Sequence, residues 1–180
     1  MTSVSDMRAS RLMGALLLGT FGTIWLILWA YRAFGGQMVA IILTASPGIV
    51  LLSWIYVQYR RHSRGISAKP ESADSQRASK LFHIINVGQW VVILVAGNVL
   101  ANIGLSAWVL PMAMLVIGVH FFPLARLFRT PSRNVTGTAL IAVAVVYPLV
   151  SSRGAADPIG CLFAGIVLWA SALWSVRHDG

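Results

Sequence analysis

The sequence has few charged residues and very few acids. Only 11% of its 180 residues are charged, and only five are Asp or Glu. A soluble domain carries about 25% charged residues, and a water-facing surface cannot be built from so few. Since 57% of the residues are hydrophobic, the composition predicts an integral membrane protein whose apolar surface is solvated by the lipid bilayer.

The scarcity of cysteine and of buried acid narrows the chemistry. A single cysteine, Cys161, excludes an internal disulfide and a multi-cysteine metal site. All five acids fall in predicted loops or tails: Asp6, Glu71, Asp74, Asp157 and Asp179. Ion-coupled transporters often rely on intramembrane carboxylates, and acid–base catalysis often uses paired ones. The sequence therefore disfavours an ion-driven pump and an enzyme, and we expect neither a metal nor a cofactor.

Six apolar segments are each long enough to cross a bilayer, which takes about 20 residues. They are 12–34, 38–59, 81–102, 106–128, 135–151 and 158–176. They do not alternate apolar and polar residues as barrel strands do. Short connections at 35–37, 103–105 and 152–157 pair them in sequence order. We therefore predict an all-α transmembrane bundle of six helices in three hairpins, forming one domain.

The basic residues predict the orientation. Of the 14 Lys and Arg residues, only Arg32 and Arg153 fall on the side of the three short connections. Cytoplasmic loops carry the excess of Lys and Arg, so both termini are predicted to be cytoplasmic, as is the polar, Ser-rich loop 60–80. The basic residues sit at the ends of apolar runs rather than on one polar face, and we expect no nucleic-acid partner.

The third span is the most polar. It contains five side chains that occupy a sector of about 220° around a helix: His83, Asn86, Gln89, Asn98 and Asn102. Unsatisfied amides are costly in hydrocarbon. We therefore expect these side chains to face other helices or a cavity.

The fourth span places a histidine level with this polar sector. If the tight turn centres near Gly104, antiparallel partners have numbers that sum to about 208, and His120 lies between Asn86 and Gln89. We predict a polar cluster of these three residues in the cytoplasmic half, with His83 nearer the surface. Pro123, one turn after His120, frees a backbone carbonyl.

Two interpretations of these polar residues stay open. In the first, the protein binds or passes a small molecule through a cavity between the third and fourth spans, with His120, Asn86, Gln89, His83 and Asn98 as ligand-binding residues. In the second, it is a non-catalytic structural or regulatory subunit, and the same residues form interhelical hydrogen bonds worth about 0.6 kcal/mol each. A haem held by His83 and His120 is a third option that their unequal levels disfavour.

Small residues mark helix-packing faces. Ala15, Gly19 and Thr23 recur every four residues, and so do Gly160 and Ala164. Such spacing lets helices approach closely. We expect the faces to pack within one chain, with a homo-oligomer interface as the alternative.

The stretch His120–Phe128, followed by Val135-Thr136-Gly137, resembles a pattern in a family of bacterial six-span membrane proteins to which no activity is assigned. The resemblance implies a multi-pass protein of the bacterial plasma (inner) membrane. It supplies no activity and no site residue.

Overall fold

The described part of the chain forms six long helices. The computed structural model describes the backbone of residues 4–63, 73–128, 130 and 132–177, and the side chains of 11–61, 79–128, 130 and 132–177. The helices are α1 (Val4–Ala33), α2 (Met38–Ser63), α3 (Ala73–Asn102), α4 (Val109–Leu127), α5 (Ser132–Val150) and α6 (Ile159–Arg177). Single 3₁₀ turns occupy Ser106–Trp108 and Gly154–Ala156. Since no strand occurs in these ranges, the predicted all-α fold is confirmed.

Each helix, α4 together with the 3₁₀ turn before it, provides a stretch that can cross a membrane. The stretches have 19 to 24 residues and mean hydropathies from 1.4 to 2.1. At a rise of 1.5 Å per residue, the shortest is about 28 Å long, close to the hydrocarbon thickness. Their bounds differ from the predicted spans by three residues at most. Six such helices suit a multi-pass membrane protein.

The loop predicted at 60–80 is shorter than expected. Helix α2 continues to Ser63 and α3 already begins at Ala73, while residues 64–72 lie outside the described part of the chain. Residues 73–80 are polar but contain neither Gly nor Pro. Polarity places these residues outside the apolar span without preventing helix formation, since Gly and Pro are the stronger breakers.

Glycines close the first two tight connections. Gly36 (φ +80°) follows α1, and its N–H donates to the carbonyl of Tyr31 at 2.8 Å. Gly104 (φ +81°) follows α3, and the next residue, Leu105, donates its N–H to the carbonyl of Leu100 at 2.8 Å. Such left-handed residues end helices and satisfy their last carbonyls. The predicted hairpins begin at these turns.

The third connection, residues 151–158, joins α5 to α6 through hydrogen bonds to one carboxylate. Asp157 accepts from the hydroxyl of Ser151 and, at 3.0 Å, from the N–H of Ile159. The second bond caps the start of α6. The hydrogen bond from Ser151, the N–H of Ile159 and the charge of Arg153 together hold the pKa of Asp157 below its usual value, because each favours the carboxylate.

The chain forms two compact units. One comprises residues 1–69 and 161–180, and the other comprises residues 70–160. In the first unit, Thr23 of α1 is 7% exposed. Its hydroxyl donates to the carbonyl of Gly19 at 2.8 Å and accepts from the indole N–H of Trp169 in α6 at 3.2 Å. Ala15 is fully buried, so the face predicted from Ala15, Gly19 and Thr23 packs within the chain.

In the second unit, α4 and α5 meet at two glycines. A Cβ added to Gly118 would lie 2.9 Å from the carbonyl oxygen of Gly137, and one added to Gly137 would lie 2.6 Å from that of Gly118. At the other end of α5, the buried Tyr147 hydroxyl donates to the carbonyl of Ala155 at 3.3 Å. Gly160 leaves room for the Tyr147 ring. The glycines thus fix α4 against α5, and α3 lies against α4.

Candidate binding groove between α3 and α4

Helices α3 and α4 pack in the register expected from a turn at Gly104. Near the turn, a Cβ on Gly97 would lie 3.6 Å from Val109 and 3.9 Å from Met112. Far from it, the rings of Phe82 and Phe128 meet edge to face with centroids 6.0 Å apart. Contacts at both ends agree with the predicted pairing. Residues on the two helices can therefore be compared level by level.

Two of the predicted site residues lie on the side of α3 that faces α4. At about 100° per residue, Asn86 and Gln89 lie within about 40° of Phe82, whose ring contacts that of Phe128, the residue after α4. Both side chains are half-buried, like Phe82 and Ile85 on the same side. These positions suit amides that face another helix.

His83 and Asn98 lie elsewhere on α3. They are directed about 100° and 160° away from Phe82, and both are exposed. The ring nitrogen Nδ1 of His83 is 2.9 Å from the carbonyl oxygen of Ser79, and the amide of Asn98 donates to the carbonyl of Leu94 at 2.8 Å. Each thus bonds to its own helix. His83 lies one turn before Asn86 and about 60° around the helix from it, whereas Asn98 lies more than two turns beyond Gln89.

His120 lies on α4 at the edge of the α3-facing side. It is half-buried, lies within about 60° of Pro123 and Leu127, and meets the ring of Phe121 edge to face at 6.3 Å. Within the described residues, no hydrogen bond joins it to Asn86 or Gln89. A polar cluster of these three residues therefore stays a prediction.

An open groove of about 540 Å³ runs between the two helices beside these residues. Helix α3 contributes two lining residues and α4 contributes four: Leu81, Ile85, Phe122, Pro123, Arg126 and Leu127. The groove lies at the start of α3 and the end of α4, where the basic residues gather. Its volume falls within the range of about 300–1,000 Å³ that is usual for small-molecule sites.

Sequence reasoning identified part of this groove. Pro123 carries a signal in the sequence, because it lacks an N–H and leaves the carbonyl four residues earlier without its helical donor; α4 nonetheless continues through it to Leu127. The apolar walls were missed. The signal that could have found them is the register, which places Leu81 level with Leu127 and Ile85 level with Pro123.

The groove carries one positive charge that no described carboxylate neutralises. Arg126 is exposed and, in the part of the chain with described side chains, forms no salt bridge. The one acid whose side chain is described, Asp157, is bound within the connection between α5 and α6. A second cation lies at the same end of α3–α4 but outside the lining of the groove: the Arg133 guanidinium is 4.9 Å from the centre of the Phe128 ring. Arg126 is therefore the charged group that the groove itself offers to an anion.

The described residues contain no group of three or more His, Cys, Asp or Glu side chains that could hold a metal. Comparison with family models, with curated proteins and with solved structures finds no match to this chain.

Proposed function

We propose that this multi-pass membrane protein binds a small, mostly apolar molecule in the groove between α3 and α4. The observation that carries the proposal is the groove itself, which has five apolar lining residues and one cation. Binding sites are commonly concave and apolar, with a few polar groups that orient the ligand. The groove combines these features at one place in the fold.

Polar groups that could orient a ligand lie beside the groove. Gln89 lies one turn beyond the lining residue Ile85 on the same side of α3, whereas Asn86 is directed about 100° around the helix from Ile85. His120 approaches from α4 within about one turn of Pro123. An amide can donate and accept hydrogen bonds. We propose that Gln89 and His120 set the orientation of the bound molecule, with Asn86 at the far edge of the α4-facing side of α3.

A pair of tryptophan substitutions on α3 tests this function. Ile85 lines the groove, whereas its neighbour Ile84 is 67% exposed on another side of the helix. We expect Ile85→Trp to fill the groove and abolish the thermal stabilisation that a screened ligand gives to the purified protein. Ile84→Trp is the matched control and should keep it. A ligand that stabilises both variants equally does not bind here.

A structural or regulatory subunit is the second candidate. The exposure of α3 favours this candidate, because no residue in the most apolar stretch of α3 is buried within the chain. Such a subunit would assemble with a second copy or with another chain through this exposed side. The two substitutions should then have the opposite effects. Ile84→Trp would then change the assembly mass measured by light scattering, and Ile85→Trp would not.

We further propose that the protein lies in a bacterial inner membrane with both termini in the cytoplasm. The support is the 12-to-2 distribution of basic residues between the two ends of the helices. Cys161, the single cysteine, is buried, and Cys161→Ala gives a background for single-cysteine labelling in intact cells. An impermeant maleimide should label Ser152→Cys directly, but Ser79→Cys only after permeabilisation; the opposite pattern would invert the topology.

A further inference from the structure

Charge and hydrophobicity are separated along the groove between α3 and α4. Arg126, the residue before the last of α4, supplies the charge at one end. Phe122 lies one turn deeper on α4, and Ile85 one turn deeper than Leu81 on α3, so the walls extend about 6 Å further along the helices. A ligand that matches this arrangement has an anionic group joined to an apolar chain.

We propose that the ligand is an anionic phospholipid, with its phosphate on Arg126 and the upper part of an acyl chain against the apolar walls. This inference rests on the proposed function, because it names the class of molecule that the groove binds. An arginine guanidinium presents paired N–H donors that match two phosphate oxygens. Basic pockets between transmembrane helices are a recurrent means of binding anionic headgroups.

The position of the groove supports a lipid over a water-soluble anion. Leu81 is the third residue of the membrane-crossing stretch that starts at Ser79, and Arg126 is the second-last residue of the stretch that ends at Leu127. Both therefore lie where a span meets the headgroups. The openness of the groove along its side lets an acyl chain enter from the bilayer.

A second cation extends the positive end beyond Arg126. The ring of Phe82 on α3 contacts that of Phe128, which in turn lies under the Arg133 guanidinium. This aromatic pair places Arg133 beside the same end of the α3–α4 pair. Arg126 and Arg133 thus both contribute positive charge at the end of the pair where the headgroup would lie.

The test compares lipids that share their acyl chains. Delipidated protein in a neutral detergent is titrated with phosphatidylglycerol, with phosphatidylcholine and with inorganic phosphate, and binding is followed by native mass spectrometry. We expect wild type to prefer phosphatidylglycerol. Arg126→Gln should weaken that binding about five-fold, since a basic residue near the surface contributes about 1 kcal/mol to anionic-lipid attraction.

Two further variants control the charge change. Arg126→Lys keeps the charge, and it should retain most of the preference and show that the fold tolerates substitution. Arg61→Gln removes an exposed cation near the end of α2, and it should leave the preference unchanged. An equal loss in Arg61→Gln and Arg126→Gln would overturn the inference, because the attraction would then be a general effect of net charge.

The lipid comparison and the groove-filling pair separate failure of the inference from failure of the proposed function. If both lipids bind equally and Ile85→Trp abolishes both, the groove is a binding site but the anionic assignment is wrong. If phosphatidylglycerol binding is intact in both Ile85→Trp and Ile84→Trp, both proposals fail. Saturable, Arg126-dependent binding of inorganic phosphate alone would replace the lipid with a soluble anion.

Discussion

Substitution of Gly118 by Ala tests how closely α4 and α5 must approach. The new Cβ would lie 2.7 Å from Cγ1 of Ile141, 2.9 Å from the carbonyl oxygen of Gly137 and 3.1 Å from the backbone nitrogen of Ile141. Carbon atoms in good contact are about 3.5–4.0 Å apart. Because two of the three neighbours are backbone atoms, a side-chain rotation cannot relieve the clash, and the helices must separate.

The expected loss of stability follows from two opposing effects. Overpacking a close contact typically costs about 1–3 kcal/mol, and the upper value applies where backbone must move. Alanine in place of glycine inside a helix returns about 1 kcal/mol. We therefore expect Gly118→Ala to lower the free energy of unfolding by about 2 kcal/mol.

The assay is reversible unfolding of the purified protein in mixed micelles, followed by circular dichroism. Gly88→Ala is the matched control, because Gly88 is exposed within α3 and a Cβ there has no neighbour within 4 Å; this change should be neutral or stabilising. Adding Ile141→Ala to Gly118→Ala should restore only part of the loss, since the Gly137 carbonyl remains. A Gly118→Ala protein as stable as Gly88→Ala would refute the close α4–α5 contact.

Two other substitutions have directional outcomes in the same unfolding assay. Gly48→Ala would place a Cβ 2.4 Å from the Thr23 methyl group, and we expect a loss of about 1–3 kcal/mol that shrinks in a Thr23→Ala background; an unchanged loss there would exclude this clash as its cause. Ser151→Ala should raise the pKa of Asp157 toward its ordinary value of about 3.9. Because a lowered carboxylate pKa stabilises the fold above that value and the stabilisation is lost as pH falls through the folded-state pKa, wild type should exceed the variant in stability at pH 7 and converge with it in acid; a difference that persists in acid would contradict the assignment.

Which residues of α3 and α4 lie at the same height could be predicted from the sequence, because this pairing depends mainly on the helix rise and on one tight turn. Gly104 adopts the positive φ that closes the turn, and each helix then advances 1.5 Å per residue. The contact of Gly97 with Val109 and Met112, and that of Phe82 with Phe128, follow from this geometry. Residue spacing predicts these contacts because backbone geometry alone determines them.

The environment of the polar residues could not be predicted as well. Five polar side chains spread over about 220° of α3 cannot all face α4, since one helix covers only part of its neighbour. Asn86 and Gln89 lie on the covered side, whereas His83 and Asn98 are exposed and bond to carbonyls of their own helix. The cost of a buried amide predicts that it finds a partner, but that partner can be one turn away on the same helix.

The apolar walls of the groove could not be predicted from residue types, because the protein lies in lipid. In a soluble protein, an apolar residue on a helix surface suggests a partner, because water disfavours it. In lipid, Leu81, Ile85 and Phe122 would be equally well solvated by a neighbouring helix, by a ligand or by the bilayer, so their identity carries no signal. Arg126 differs, because a cation among them needs an anion or water. The charge is therefore the feature by which the sequence and the structure together single out this groove from the rest of the lipid-facing surface.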